Sequence, residues 1–242
     1  MHQFTAPPDT ICPTFQSDVA QFIPLNLRKA VETIDEVDMF RNERMPAWMS
    51  AGISLWAYIK HEEQLGNIRK GMTVLELGTG SGSSALTFSY MGYPIKGIEL
   101  DKKLADYSRE VLLAYSGLQN APIQIFGGSY YPKKFVNEMD KSKNSLVRKI
   151  EREELGDWGK EKIKQRYFPI CDEDVYLKNN ISIKDFDIIY AYLWAYQFPT
   201  VLNMFKQYAR DDALFLAIGP HHINIADKLG LKTTFRSHVI RK

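Results

Sequence analysis

The segment Val74-Leu75-Glu76-Leu77-Gly78-Thr79-Gly80-Ser81-Gly82-Ser83-Ser84-Ala85 limits the fold of this chain more than any other. A short apolar run bounded by glycines predicts a buried strand. Three alternating glycines predict a tight turn whose backbone N–H groups can approach a ligand closely. The small residues that follow predict a helix, and a helix N-terminus favours negative charge. A strand, a glycine turn and a helix in that order form the opening unit of a nucleotide- or cofactor-binding α/β domain.

The flanking sequence repeats the alternation. Apolar strands are predicted at Ile95–Leu100, Ile123–Phe126, Phe186–Tyr190 and Ala213–Ile218. Helices are predicted at Ser83–Met91, Lys102–Ser116 and Pro199–Ala209. Strands separated by helix-length segments mean βαβ units, and right-handed crossovers put the strand C-terminal ends on one edge. The expectation is an α/β, Rossmann-like, doubly wound and mostly parallel sheet.

Ahead of it, residues 1–70 read as an N-terminal arm and helices packing on the core. The arm carries Pro7, Pro8 and Pro13, and the helices run from Asp18 to Phe40, interrupted at Pro24, and from Pro46 to Leu65. Residues 71–242 form the Rossmann-like domain. Residues 132–184 interrupt it between the third and fourth strands, with Phe135, Met139, Leu146 and Ile150 at helical spacing. Residues 133–166 hold 11 Lys/Arg against 7 Asp/Glu, a local surplus of basic charge. A lid over the site and a solvated helical excursion are both compatible with this pattern. After the fifth strand only enough chain remains for one good strand, Thr233–Ile240, or two short ones.

The glycine turn by itself does not choose a ligand, since Gly80 to Ala85 also fits the dinucleotide fingerprint with Ala in the last place. Two acids tip the choice. Glu76 stands two residues before the first glycine, where its charge would repel a pyrophosphate but attract an ammonium or sulfonium. Glu99 ends the second strand and can accept hydrogen bonds from both hydroxyls of a ribose.

From about Gly71 to Gly128 the chain resembles the cofactor half of class I S-adenosylmethionine (SAM)-dependent methyltransferases. The family's first motif, an acid followed by Gly-x-Gly-x-Gly, matches Glu76, Gly78, Gly80 and Gly82, and its second-strand acid matches Glu99. The resemblance implies SAM as cofactor. It implies that Glu76 and the loop Gly78, Thr79, Gly80, Gly82 and Ser83 hold the methionine moiety, and that Glu99 with Leu100 holds the ribose. Where the family often places an acid near adenine, this chain reads Gly127-Gly128-Ser129-Tyr130, so Gly128 and Ser129 are expected to border adenine through backbone and hydroxyl groups.

On the acceptor side, Tyr190-Ala191-Tyr192-Leu193 stands where base-amino methyltransferases commonly carry Asp/Asn-Pro-Pro-aromatic, which argues against that subclass. Tyr190, Tyr192 and Trp194 can line an acceptor pocket through π contacts, or simply pack. In Gly219-Pro220-His221-His222, His221 is a candidate general base on the ligand edge, or an exposed loop residue. Tyr190, Tyr192 and His221 are therefore the catalytic candidates.

Composition narrows the remainder. A net charge of +2 gives no argument for nucleic acid or an anionic membrane, so a small-molecule acceptor is expected first, a protein side chain second, and nucleic acid is unlikely. Cys12 and Cys171 lie far apart and form no metal-ligand spacing, so no metal is expected. Met1–Thr10 lacks a basic region followed by an apolar run, and no apolar stretch is long enough to span a bilayer, so the expected location is cytoplasmic. An oligomer is compatible with the short sheet end. Two further readings keep SAM: aminocarboxypropyl transfer, because the tail Arg236–Lys242 resembles the C-terminus of nicotianamine-synthase-like enzymes, and a non-catalytic SAM-binding or assembly module. A nicotinamide dehydrogenase is disfavoured by Glu76.

Overall fold

A computed structural model of the chain describes residues 22–42, 51–141, 173–193, 197–218 and 237–241. Within these, residues 37–42, 51, 54, 139–141 and 237–241 are described by their backbone alone. Five parallel strands, β1 (Val74–Leu77), β2 (Ile95–Glu99), β3 (Ile123–Gly127), β4 (Ile188–Tyr192) and β5 (Leu214–Ile218), form one sheet in the order β3-β2-β1-β4-β5. A sixth strand, β6 (Ser237–Arg241), pairs antiparallel with β5 and covers what would otherwise be an open edge. This is the Rossmann-like doubly wound order, and its switch point lies between β1 and β4. Of the strand expected at Thr233–Ile240, the described residues from Ser237 onward form β6. The fourth strand starts and ends two residues later than its predicted span, at Ile188 and Tyr192.

Helices cover both faces. On one face lie α1 (Leu25–Asn42), α2 (Ala51–Gln64), α3 (Ser83–Tyr90) and α4 (Lys102–Ala114). Their apolar stripes (Leu27, Val31 and Ile34 on α1; Leu55 and Ile59 on α2; Leu86 and Phe88 on α3) close over Val74, Ile188, Leu214 and Leu216. The other face carries α5 (Lys133–Lys141), α6 (Val175–Lys178) and α7 (Phe198–Tyr208). There Phe135, Val175, Phe198 and Phe205 pack on Leu75, Ile189 and Phe215. Because β1 is buried on both faces, it reads as an apolar run broken only at Glu76.

Local chemistry sets the boundaries. Pro24 lies just before α1, and its carbonyl accepts from Arg28 N at 2.9 Å, so the proline starts the helix instead of breaking it. Gly66, at φ +73°, ends the turn after α2 as expected. Asp101 caps α4 by accepting from Lys103 N at 2.9 Å and Leu104 N at 3.3 Å. Asp187 accepts from Thr73 N and Oγ1 at 2.7 and 2.9 Å and pairs with Arg210 at 2.9 Å, so it ties β4 to the chain entering β1.

The two described ends of the insertion are part of the core. Phe135 of α5 is fully buried, and Val175 and Tyr176 of α6 pack beneath the end of β3. The side chain of Met139, and Leu146 and Ile150 altogether, lie outside what is described, as do Trp194, the turn with His221, and the N-terminal arm. Among the described residues no helix is long and apolar enough to cross a membrane.

Candidate functional site

The glycine turn joins β1 to α3 at the C-terminal edge of the sheet. Gly78, Gly80 and Gly82 sit at φ +83°, +60° and +94°, where a side chain is strained. Gly78 N and Thr79 N both donate to Ile98 O, at 2.8 and 3.1 Å, which folds the loop back over β2. That return needs Gly97: a Cβ there would lie 2.1 Å from Thr79 Oγ1 and 2.8 Å from Ile125 Cδ1. The N-cap of α3 is Gly82, which brings no side-chain acceptor, so nothing from that position caps the first N–H groups of Ser83 and its neighbours.

Strand alternation aims the acids. Val74 and Ile95 face the α1–α4 layer, so Glu76 on β1 and Gly97 and Glu99 on β2 face the same way. Glu76 is 2% exposed, its Oε2 has no hydrogen-bond partner, and it makes no ion pair among the described residues. Burial first, and the Glu99 carboxylate second, raise its pKa well above the ordinary value. Thr79 Oγ1, also buried, lies beside the Glu76 carboxyl and opposes the shift without outweighing burial. Glu99 is buried at the tip of β2, where Oε2 accepts from Gly80 N at 2.8 Å and Oε1 from Asp101 N at 3.0 Å. It therefore holds the glycine loop in shape. Leu100 follows it, 37% exposed on the rim.

Across the switch point Tyr190 pairs directly with Glu76 in the sheet register. Its ring is buried edge-on to Phe88 at 5.2 Å, and its hydroxyl stands 3.4 Å from Ser84 Oγ. Burial first, then the Glu76 charge, hold its phenol far above the usual range. The structure thus places Tyr190 in the packing beneath the glycine-loop helix. Tyr192, at the end of β4, is half-buried, and burial raises its phenol too. Gly128 and Ser129 follow β3. A Cβ on Gly128 would come within 3.1 Å of Val175 Cβ, and Ser129 Oγ accepts from Tyr131 N at 3.2 Å.

Two residues at the site escaped the sequence reading. Asp35 of α1 is 7% exposed and accepts from Ser81 Oγ of the glycine loop at 3.3 Å. The signal was an acid next to the apolar stripe Leu27, Val31 and Ile34. Tyr130 turns back from the end of β3, so that a Cβ on Gly78 would lie 3.9 Å from its Cε1. No periodicity announces that turn. Burial pushes its phenol up to about 12, with the Glu99 charge adding to the effect.

The chain matches no protein-family profile and no curated relative. Among solved structures it is similar to a mutant of MtNAS in complex with S-adenosylmethionine, at 12% identity and TM-score 0.42 over 84% of this chain and 60% of that one. It is similar to an O-methyltransferase from Bacillus cereus in complex with SAH, at 17% identity and TM-score 0.44, covering 84% of this chain and 70% of that one. An RNA methyltransferase from Salinibacter ruber in complex with S-adenosyl-L-homocysteine matches at 10% identity and TM-score 0.39, over 67% and 75%. The chain thus spans less than two thirds of the length of the first of these. RNA and small-molecule methyltransferases both occur among such structures, so the expectation that nucleic acid is an unlikely acceptor has no support from them. At this level of likeness the assignment of function rests on the site.

Proposed function

We propose that the chain is a SAM-dependent methyltransferase. The observation that carries this reading is Glu76, a carboxylate 2% exposed at the base of a three-glycine turn, with an unpartnered oxygen. A buried charge without a partner is costly, and a cationic ligand end removes that cost. The uncapped start of α3 is suited to the opposite charge. Side by side, an anion and a helix N-terminus fit a zwitterionic amino-acid group. A pyrophosphate would satisfy the helix and be repelled by Glu76.

In this reading Glu76 and the loop Gly78, Thr79, Gly80, Gly82 and Ser83 hold the methionine end. Glu99, with Leu100, takes the ribose, and Gly128 and Ser129 border adenine. When bound, SAM would supply an electrophilic methyl on a cationic sulfur, with S-adenosylhomocysteine as the leaving group. The chain contributes positioning and water exclusion. Tyr192 and His221 are the acceptor-side candidates, and the insertion between β3 and β4 is the candidate selector of the acceptor. The helices α1 and α2 lie on the glycine-loop side of the sheet. A small molecule is the first acceptor class to try, with protein and RNA beside it.

The experiment is product analysis with methyl-labelled SAM and pooled small metabolites, protein extract or RNA. Label in an acceptor together with S-adenosylhomocysteine supports the reading. Methylthioadenosine as product would replace it with aminocarboxypropyl transfer. Tight SAM binding with neither product in any pool would leave the non-catalytic binding module.

A further inference from the structure

The structure points to Tyr130 as a specificity residue that distinguishes the cationic cofactor from its neutral product. The inference rests on the SAM assignment above. In SAM the sulfonium lies between the amino-acid arm and the ribose. With the arm held at the β1 turn and the ribose at Glu99, the sulfonium belongs between the tips of β1 and β2. Tyr130 stands beside the first of these tips. Its ring edge lies 3.9 Å from the Cβ position of Gly78, at the β1 tip, and its phenol lies in the field of Glu99, at the β2 tip.

The ring is held in place before any ligand arrives. Tyr176 Oη donates to the Tyr130 carbonyl at 2.8 Å, which fixes the backbone from α6. Gln197 Nε2 donates to the Tyr130 hydroxyl at 3.5 Å, from the start of α7. Tyr131 packs against the ring with centroids 4.5 Å apart. A Cβ at Gly78 would stand in ordinary van der Waals contact with the ring edge, and its φ of +83° would strain any side chain there. An aromatic face presented to a desolvated cation attracts it through the ring quadrupole, and a neutral thioether gains no such attraction. A held aromatic ring beside a cofactor anchor therefore favours SAM over S-adenosylhomocysteine and helps product leave after transfer.

The test is calorimetric titration of the full-length chain with SAM and, separately, S-adenosylhomocysteine. Tyr130→Phe keeps the ring and should keep the preference. Mono-, di- and trifluorinated phenylalanine at position 130 retain the shape while draining the negative face. SAM affinity should fall stepwise with fluorination, by roughly three- to thirtyfold in total, while S-adenosylhomocysteine affinity stays constant. Tyr130→Leu should abolish the preference. If fluorination leaves SAM affinity unchanged, or weakens both ligands equally, Tyr130 is only a wall and the inference falls while the cofactor assignment stands. A wild-type chain that binds neither ligand overturns the assignment itself.

Discussion

Glu76 carries opposite consequences for the empty and the occupied protein. Its folded pKa lies well above the ordinary glutamate value of 4.5. Between those two values the folded state holds a proton that the unfolded state has released. Stability of the ligand-free protein therefore falls as pH rises through that window, and is level above it. Glu76→Gln removes the titration, so urea melts from pH 4.5 upward should show a shallower decline than wild type and a more stable variant at neutral pH. The same substitution should weaken SAM binding, and the wild-type advantage over Gln should grow with pH across the window, because a cation favours the ionised carboxylate. A variant that is neither stabilised nor impaired in binding would mean that Glu76 has another partner. At the tip of β2, Glu99→Ala should cost SAM binding about 1.5–3 kcal/mol, the scale for hydrogen bonds to a charged group. It also frees Gly80 N–H, so Glu99→Gln, which retains one acceptor, should recover part of the loss in the same titration. Equal affinity for all three proteins would remove Glu99 from the ribose site. Both acids were legible in the sequence, because an acid inside an apolar strand and an acid at a strand tip break the local pattern. Asp35 and Tyr130 were not recognised: each reaches the site through a tertiary contact, with Ser81 and Gly78 respectively.

The β1 turn works as an element because β2 leaves it room. Gly97 lies opposite Glu76 in the ladder, and any Cβ there collides with Thr79 and Ile125. Gly97→Ala should destabilise the protein by about 1–3 kcal/mol through overpacking, read by urea denaturation, and should weaken SAM binding as the loop shifts. Unchanged stability would show that Thr79 can turn away freely. The sequence marked the glycines of the turn and passed over Gly97, since a lone glycine in a strand names no neighbour. The insertion shows the same limit. Its apolar stripe suggested one continuous helix from Phe135 to Ile150, yet Phe135 and, beyond the middle, Val175 and Tyr176 are core residues of the cofactor domain. An excision starting at 135 and ending at 180 would therefore remove core. Replacing residues 142–172 with a Gly/Ser linker spares those contacts. SAM affinity should then survive within severalfold, while transfer to the true acceptor falls sharply; full transfer activity in the shortened chain would show that this segment does not select the acceptor.

At the scale of the whole molecule, alternating strands and helices foretold the parallel sheet, observed in the order β3-β2-β1-β4-β5 with β6 added antiparallel at its edge. The sixth strand was visible only as a length of β-forming sequence, because its antiparallel partner lies far upstream in β5. The acceptor is the least legible part. In the proposed reading it is chosen by Tyr192, His221 and the insertion, residues that no single local pattern links. What the fold and site define together is the β1–β4 switch point with a buried glutamate, Glu76, beside the N-terminus of α3. The most direct measurement of that claim is calorimetric titration of the full-length chain with SAM and with NAD under identical conditions. The account predicts saturable SAM binding in the micromolar range and no comparable NAD binding; NAD binding without SAM binding would contradict it.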